Sequence, residues 1–350
     1  MKKKNIFIGL ALSLAVTGCG KEALENTNNN VKEEVKQEEN EEVKEAKTEK
    51  KDESKVIYAS FYPIYNLTKQ IAGDKFDVKA FNSLTTESHD FEPSSKEIAE
   101  LSKSQLIFMN GAGMEDWKDD VEETVDITMV DTSEGLDLIK ADHDHEDAED
   151  HDHEDAEDHD HDHDHDHEEG EHHHHHGEFD PHTWLSPVNA KAQAKVIADK
   201  LSEIDSANKD YYQKNYEEIA KEFDEIINEY KEKFAKVENN KFIVPHEAFG
   251  YVARDFNLEQ IPLASLTSTA DPDAKVMKEV TDLAKANKIK TVFFEKGGSD
   301  KAAKTIAEEI GAETAPLSTM EFASEEEIEK EVTIQEIIKE NLENIYKSLA

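Results

Sequence analysis

Fourteen of the seventeen histidines in this 350-residue chain fall between positions 142 and 177. The other three, His89, His182 and His246, stand in separate segments: Glu87-Ser88-His89-Asp90-Phe91-Glu92-Pro93, Asp180-Pro181-His182-Thr183-Trp184, and Val244-Pro245-His246. A single histidine in such a place is more simply a packed or capping residue. Three of them, in a chain that also carries a histidine-rich tract, point to one shared site. Neutral imidazole nitrogens suit a borderline divalent cation, zinc first among them, and three leave a fourth position for a carboxylate or a water.

The tract itself repeats DHDHEDAE at 142–149 and 150–157, continues as alternating Asp and His, and ends in His172 to His176. It holds no Lys or Arg and hardly an apolar side chain, so it cannot bury a core. A disordered, solvated His/Asp/Glu-rich loop is expected over 141–178, rich in nitrogen and oxygen donors and able to collect several cations weakly. Nineteen acidic residues between 141 and 178 supply nearly half of the formal net charge of -42. That surplus argues against nucleic acid or an anionic lipid surface as partner and favours the attraction of cations.

Elements that could position the three histidines follow a regular rhythm. Strands are expected at 56–60, 78–81, 106–109 and 127–130, with helices at 63–72 and 94–101 between them. After the tract, apolar residues at helical spacing run from Val188 to Leu201; past a break near Asp205 they resume from Tyr212 to Phe234 as one long amphipathic helix. The rhythm then restarts, with strands at 242–244, 261–266, 291–294 and 315–317 and helices at 248–256, 273–286, 300–310 and 325–348. Strands alternating with helices indicate an α/β protein with mainly parallel sheets flanked by helices. Two such lobes are expected, 55–186 and 238–350, joined by a long rigid linking helix within 187–237. Each lone histidine sits at a strand exit or helix entrance, where a side chain can face a cleft between lobes.

The first residues carry a different message. A basic start (Lys2, Lys3, Lys4), an apolar run from Ile6 to Val16 and the ending Val16-Thr17-Gly18-Cys19 have the anatomy of an export signal over 1–18. The run is too short to span a bilayer. Its ending resembles a bacterial lipobox, which makes Cys19 the expected lipid attachment site and places the protein at the outer face of the cell membrane. Residues 19–54, rich in Glu, Lys and Asn with scarcely a large apolar residue, read as a charged tether. Cys19 is the only cysteine, so no disulfide within the chain is possible.

From about Val56 to the end, the chain resembles the metal-binding solute-binding proteins of ABC importers, and within them the zinc-specific, ZnuA-like lipoproteins. The resemblance rests on SHDFEPS around His89, DPHTWLSP around His182 and VPHEAFGYVARDF around His246, in that order, with an acidic histidine-rich loop between the first two. It implies two α/β lobes, one transported Zn2+ in the cleft bound by His89, His182 and His246, and a monomer that delivers the ion to a permease and its ATPase subunit. Manganese members carry a carboxylate in place of the third histidine, so His246 speaks for zinc. Glu321, in the loop after the last strand, stands where the family supplies a carboxylate ligand; Glu295, at the end of the strand before it, and water are the rivals. Asp180, Glu92 and Glu247 are candidates to orient the imidazoles, and Trp184 and Phe249 to wall the cleft. Two other classes compete: a hydrolase using a three-histidine zinc site, which lacks HExxH and an evident general base, and a surface adhesin.

Overall fold

The computed structural model describes residues 55–141, 177–266 and 272–350. The expected signal peptide, Cys19, the tether up to Ser54 and the histidine-rich tract from 142 to 176 lie outside the described residues. Within them, two four-stranded sheets repeat one topology. In the first lobe β1 (Val56–Ala59), β2 (Asp77–Ala80), β3 (Leu106–Met109) and β4 (Thr128–Asp131) are all parallel in the order β2-β1-β3-β4. In the second, β5 (Lys241–Val244), β6 (Glu259–Pro262), β7 (Thr291–Glu295) and β8 (Glu313–Leu317) are parallel in the order β6-β5-β7-β8. Strands β3 and β5 are almost wholly buried, as parallel strands covered by helices on both faces must be. In each lobe the order reverses beside the first strand, and ligands of such sheets bind at the carboxyl ends there.

The first lobe carries α1 (Tyr62–Ala72), α2 (Ser95–Leu101) and α3 (Lys118–Thr124). The second carries α6 (Gly250–Phe256), α7 (Ala274–Ala286), α8 (Lys301–Ile310), α9 (Glu325–Glu329) and α10 (Ile334–Leu349). Between them run α4 (Pro187–Ile204) and α5 (Lys209–Phe234), separated by a turn at Ser206–Asn208. They lie antiparallel, with Lys191 paired to Asp224 and Gln213 bonded to Ser202 and Asp199. The 26 residues of α5 reach roughly 39 Å at 1.5 Å per residue. Near its start Asn215 donates to the carbonyl of Ile71 in the first lobe; at its end Phe234 packs on Phe256 in the second. One apolar core runs through both lobes, from Ile57 and Phe108 through Trp184, Ile197 and Phe223 to Phe242 and Ile338. A smaller cluster lies elsewhere in each lobe.

The structure differs from sequence expectation at three places. Helix α3 was not anticipated, because Lys118–Thr124 is charged and buries only Val121. Strand β6 begins at Glu259, earlier than the apolar run at Ile261 suggests, because an edge strand needs little apolar content. The single last helix expected at 325–348 is two helices. Both Ser324-x-x-Glu327 and Thr333-x-x-Glu336 form reciprocal capping boxes, and Glu331 between them takes a left-handed conformation (φ 51°).

Candidate metal centre

His182 reaches its place through a run of local signals. Asp180-Pro181-His182 leads into a short turn at Thr183–Leu185; Ser186 then caps α4 by accepting from the amides of Val188 and Asn189, and Pro187 occupies the first turn. His246 follows β5 and His89 lies in the loop after β2. Glu321 lies in the loop after β8, where Met320 adopts φ 60°, a conformation costing about 1–3 kcal/mol for a residue with a side chain. The neighbours that hold it there come from both lobes. Asn341 bonds the amide and carbonyl of Ser318, the Trp184 indole donates to Thr319 O at 2.6 Å, and Ser88 Oγ donates to Glu321 O at 2.8 Å.

These four side chains meet. The Nε2 atoms of His246, His182 and His89 stand 3.3, 3.4 and 3.7 Å from Glu321 Oε1, and His89 Nε2 lies 3.2 Å from His182 Nε2. Donors at about 2.0–2.1 Å from a tetrahedral zinc are roughly 3.3–3.4 Å from one another, so the spacing is that of a four-coordinate site. His182, His246 and Glu321 are buried, and His89 is partly so. Neither carboxylate oxygen of Glu321 has a hydrogen-bond donor. A buried carboxylate without donors is costly unless positive charge faces it, which is what a cation among the four would supply.

Supporting carboxylates fix the rings. Asp180 Oδ1 lies 2.8 Å from His182 Nδ1 and accepts from the His182 amide at 2.9 Å; Glu295 Oε2 lies 3.5 Å from His246 Nδ1. Each holds its ring by Nδ1 and turns Nε2 toward Glu321. Burial would lower the pKa of His246, but Glu295 and Glu321 overrule it and push it up to about 10; Asp180 and Glu321 likewise raise His182 against burial. Glu321 shows the counterpart: burial would raise it, yet His182, His246 and His89 hold it well below the usual carboxylate range.

The four residues expected at the site converge, and of the orienting candidates Asp180 lies against the His182 ring. Glu92 is exposed, and Glu295 faces His246 Nδ1. Trp184 does border the site, its ring 5.3 Å from His182, whereas Phe249 is buried in the core against Phe242. Glu87 was missed. Its carboxyl accepts from the Ser88 amide, and burial and then the nearby Glu321 push its pKa up to about 8. The signal was present, since Glu87-x-His89 repeats the acid-x-His spacing of Asp180-x-His182.

A family model described as the zinc-uptake complex component A, periplasmic (ZnuA), matches residues 57–348. The chain belongs to this family. Its members are solute-binding proteins and not enzymes, which removes the hydrolase reading. The chain is 36% identical over 297 residues to the high-affinity zinc uptake system protein ZnuA of Bacillus subtilis (strain 168), covering 84% of this chain and 87% of that one. It is 31% identical over 295 residues to the zinc-binding lipoprotein AdcA of Streptococcus pneumoniae (strain R6), covering 82% of this chain but only 54% of that longer protein. Among solved structures, the metal-dependent lipoprotein YcdH of Bacillus subtilis superposes with a TM-score of 0.69 at 32% identity, over 84% of this chain and 99% of the other.

Proposed function

We propose that this ZnuA-family protein captures Zn2+ outside the cytoplasm and delivers it to an ABC permease and its ATPase for uptake. His89, His182, His246 and Glu321 serve as the ligands. The observation that carries this reading is the convergence of three imidazole Nε2 atoms on a buried Glu321 carboxylate that no hydrogen bond satisfies. Nitrogen donors outnumber oxygen three to one, which favours zinc over manganese or magnesium. The cation is cargo, so the site must be complete yet able to release it. The relatives named for zinc uptake and zinc binding support the same assignment.

In this reading the chain acts as a monomer, exported and held by a lipid on Cys19 at the outer face of the membrane; the export signal and a relative named as a zinc-binding lipoprotein support the anchor. Glu295 is a support for His246 rather than a ligand, because it faces Nδ1 and not the converging Nε2 atoms. Native mass spectrometry of the exported protein after a chelator wash is expected to find one retained zinc. His182→Ala and Glu321→Ala should each weaken zinc, while Glu295→Gln should retain the ion with reduced affinity. Zinc retention indifferent to His182→Ala and Glu321→Ala would overturn the ligand set.

A further inference from the structure

We infer that Asn110, which touches no ligand atom, is a positioning residue that holds His182 at the metal centre by clamping the backbone turn on which it sits; the inference rests on His182 being a ligand. His182 is the middle residue of a three-residue turn, with φ -76° and ψ 42°, closed by the Thr183 amide donating to Pro181 O at 2.7 Å. Asn110 grips both ends of that turn. Its Nδ2 donates to the same Pro181 O at 2.8 Å, and its Oδ1 accepts from Thr183 Oγ1 at 2.7 Å. Asp180 sets the rotation of the imidazole, and Asn110 sets where its Cα stands.

The chemistry requires an amide at this position. A carboxamide has two donor hydrogens and two acceptor lone pairs, and Asn110 uses all four: Nδ2 also donates to Gly111 O at 2.9 Å, and Oδ1 also accepts from Gln193 Nε2 at 2.9 Å. Its own backbone is fixed in turn. The amides of Asn110 and Gly111 donate to the two carboxylate oxygens of the buried Glu115 at 2.7 and 2.9 Å, and Gln193 on α4 is bonded to Thr183 and Thr132. The exit of β3, the turn at His182 and the start of α4 thus form one buried polar network. Asn110, with its whole carboxamide engaged, is the rigid centre of that network, and supports of this kind are typically worth about 10–100-fold in metal affinity.

Zinc affinity of the full-length protein, measured by chelator competition, and the melting temperature of its metal-free form test this together. Asn110→Asp keeps the shape but turns an oxygen toward Pro181 O, and Thr183→Val removes the hydroxyl held by Asn110. Each is expected to weaken zinc by about tenfold or more, while Thr183→Ser, which keeps the hydroxyl, stays near the parent. Ser202→Ala, a buried hydroxyl about four turns along α4, sets the scale of a purely structural loss and should leave zinc affinity unchanged. Lower melting temperatures with unchanged zinc affinity in Asn110→Asp and Thr183→Val would overturn the proposal, as would equal losses in Thr183→Val and Thr183→Ser. If Asn110→Asp does not fold, the Thr183 pair decides. His182→Ala with unchanged affinity would instead remove the ligand reading on which the proposal stands.

Discussion

At the level of single residues, the metal centre is a charge problem solved in two ways. Without a cation, the buried Glu321 carboxylate is balanced by imidazoles raised toward the imidazolium form, His246 to about 10. With zinc, the Nε2 lone pairs are needed and those protons must leave. At pH 7.5 zinc binding is therefore expected to release protons, so its calorimetric enthalpy should change with the ionisation enthalpy of the buffer, and affinity should climb from pH 7 toward pH 9. The metal-free protein runs the other way. The folded pKa of His246 lies above its unfolded value of about 6.5, so its contribution to stability is fully present below pH 6.5 and is lost as pH rises through about 10. A buffer-independent enthalpy would show that the imidazoles are already neutral before zinc arrives. The four converging residues were legible in the sequence because ligands must be particular side chains. Asn110 was not, because its role depends on a main-chain turn that only the folded β3 exit brings beside it.

At the level of elements, the βα rhythm was readable because buried parallel strands such as Ile57 to Ala59 and Leu106 to Met109 are continuous apolar runs. The break near Asp205 was readable too, and the structure adds that the helices on either side of it fold back on each other. What apolar periodicity hides is a boundary inside an amphipathic stretch, and the last helix shows why. Apolar residues such as Ile328, Val332, Ile334 and Ile337 continue across a helix break that only the two capping boxes reveal. The break matters because Val332 O accepts from Tyr62 Oη at 3.0 Å and Asn66 Nδ2 at 2.9 Å, tying the second lobe to α1. Thr333→Ala removes the cap of α10 and is expected to cost about 1 kcal/mol, seen as a lower denaturation midpoint with unchanged zinc affinity. A neutral effect would mean that Asn66, which accepts from the Ile334 amide, carries the helix start alone.

At the level of the whole molecule, the described residues form one compact unit in spite of their two sheets. The apolar core passes without a break from one lobe to the other, and Trp184 and Ser88 of the first lobe bond the loop of the second that carries Glu321. The site is thus built into the packing between lobes, and the described residues that flank the histidine-rich tract lie side by side. Ala141 N donates to Glu178 O at 3.1 Å, Lys140 pairs antiparallel with Phe179, and Asp180 N donates to Ile139 O at 2.8 Å. The two ends of the tract are therefore already adjacent, as the ends of a hairpin are, and Asp180 and His182 follow directly from one of them. Replacing residues 142–177 by Asn-Gly, which suits a two-residue hairpin turn, should join Ala141 to Glu178 without moving Asp180. The shortened protein is expected to keep one zinc through a chelator wash and to lose the weak additional binding that fourteen histidines provide near pH 7.5. Near pH 6 the two proteins should converge, because histidines of ordinary pKa, about 6.5, surrounded by acids are then largely protonated. A shortened protein that folds with an unchanged melting temperature yet retains no zinc would make the tract part of the site itself.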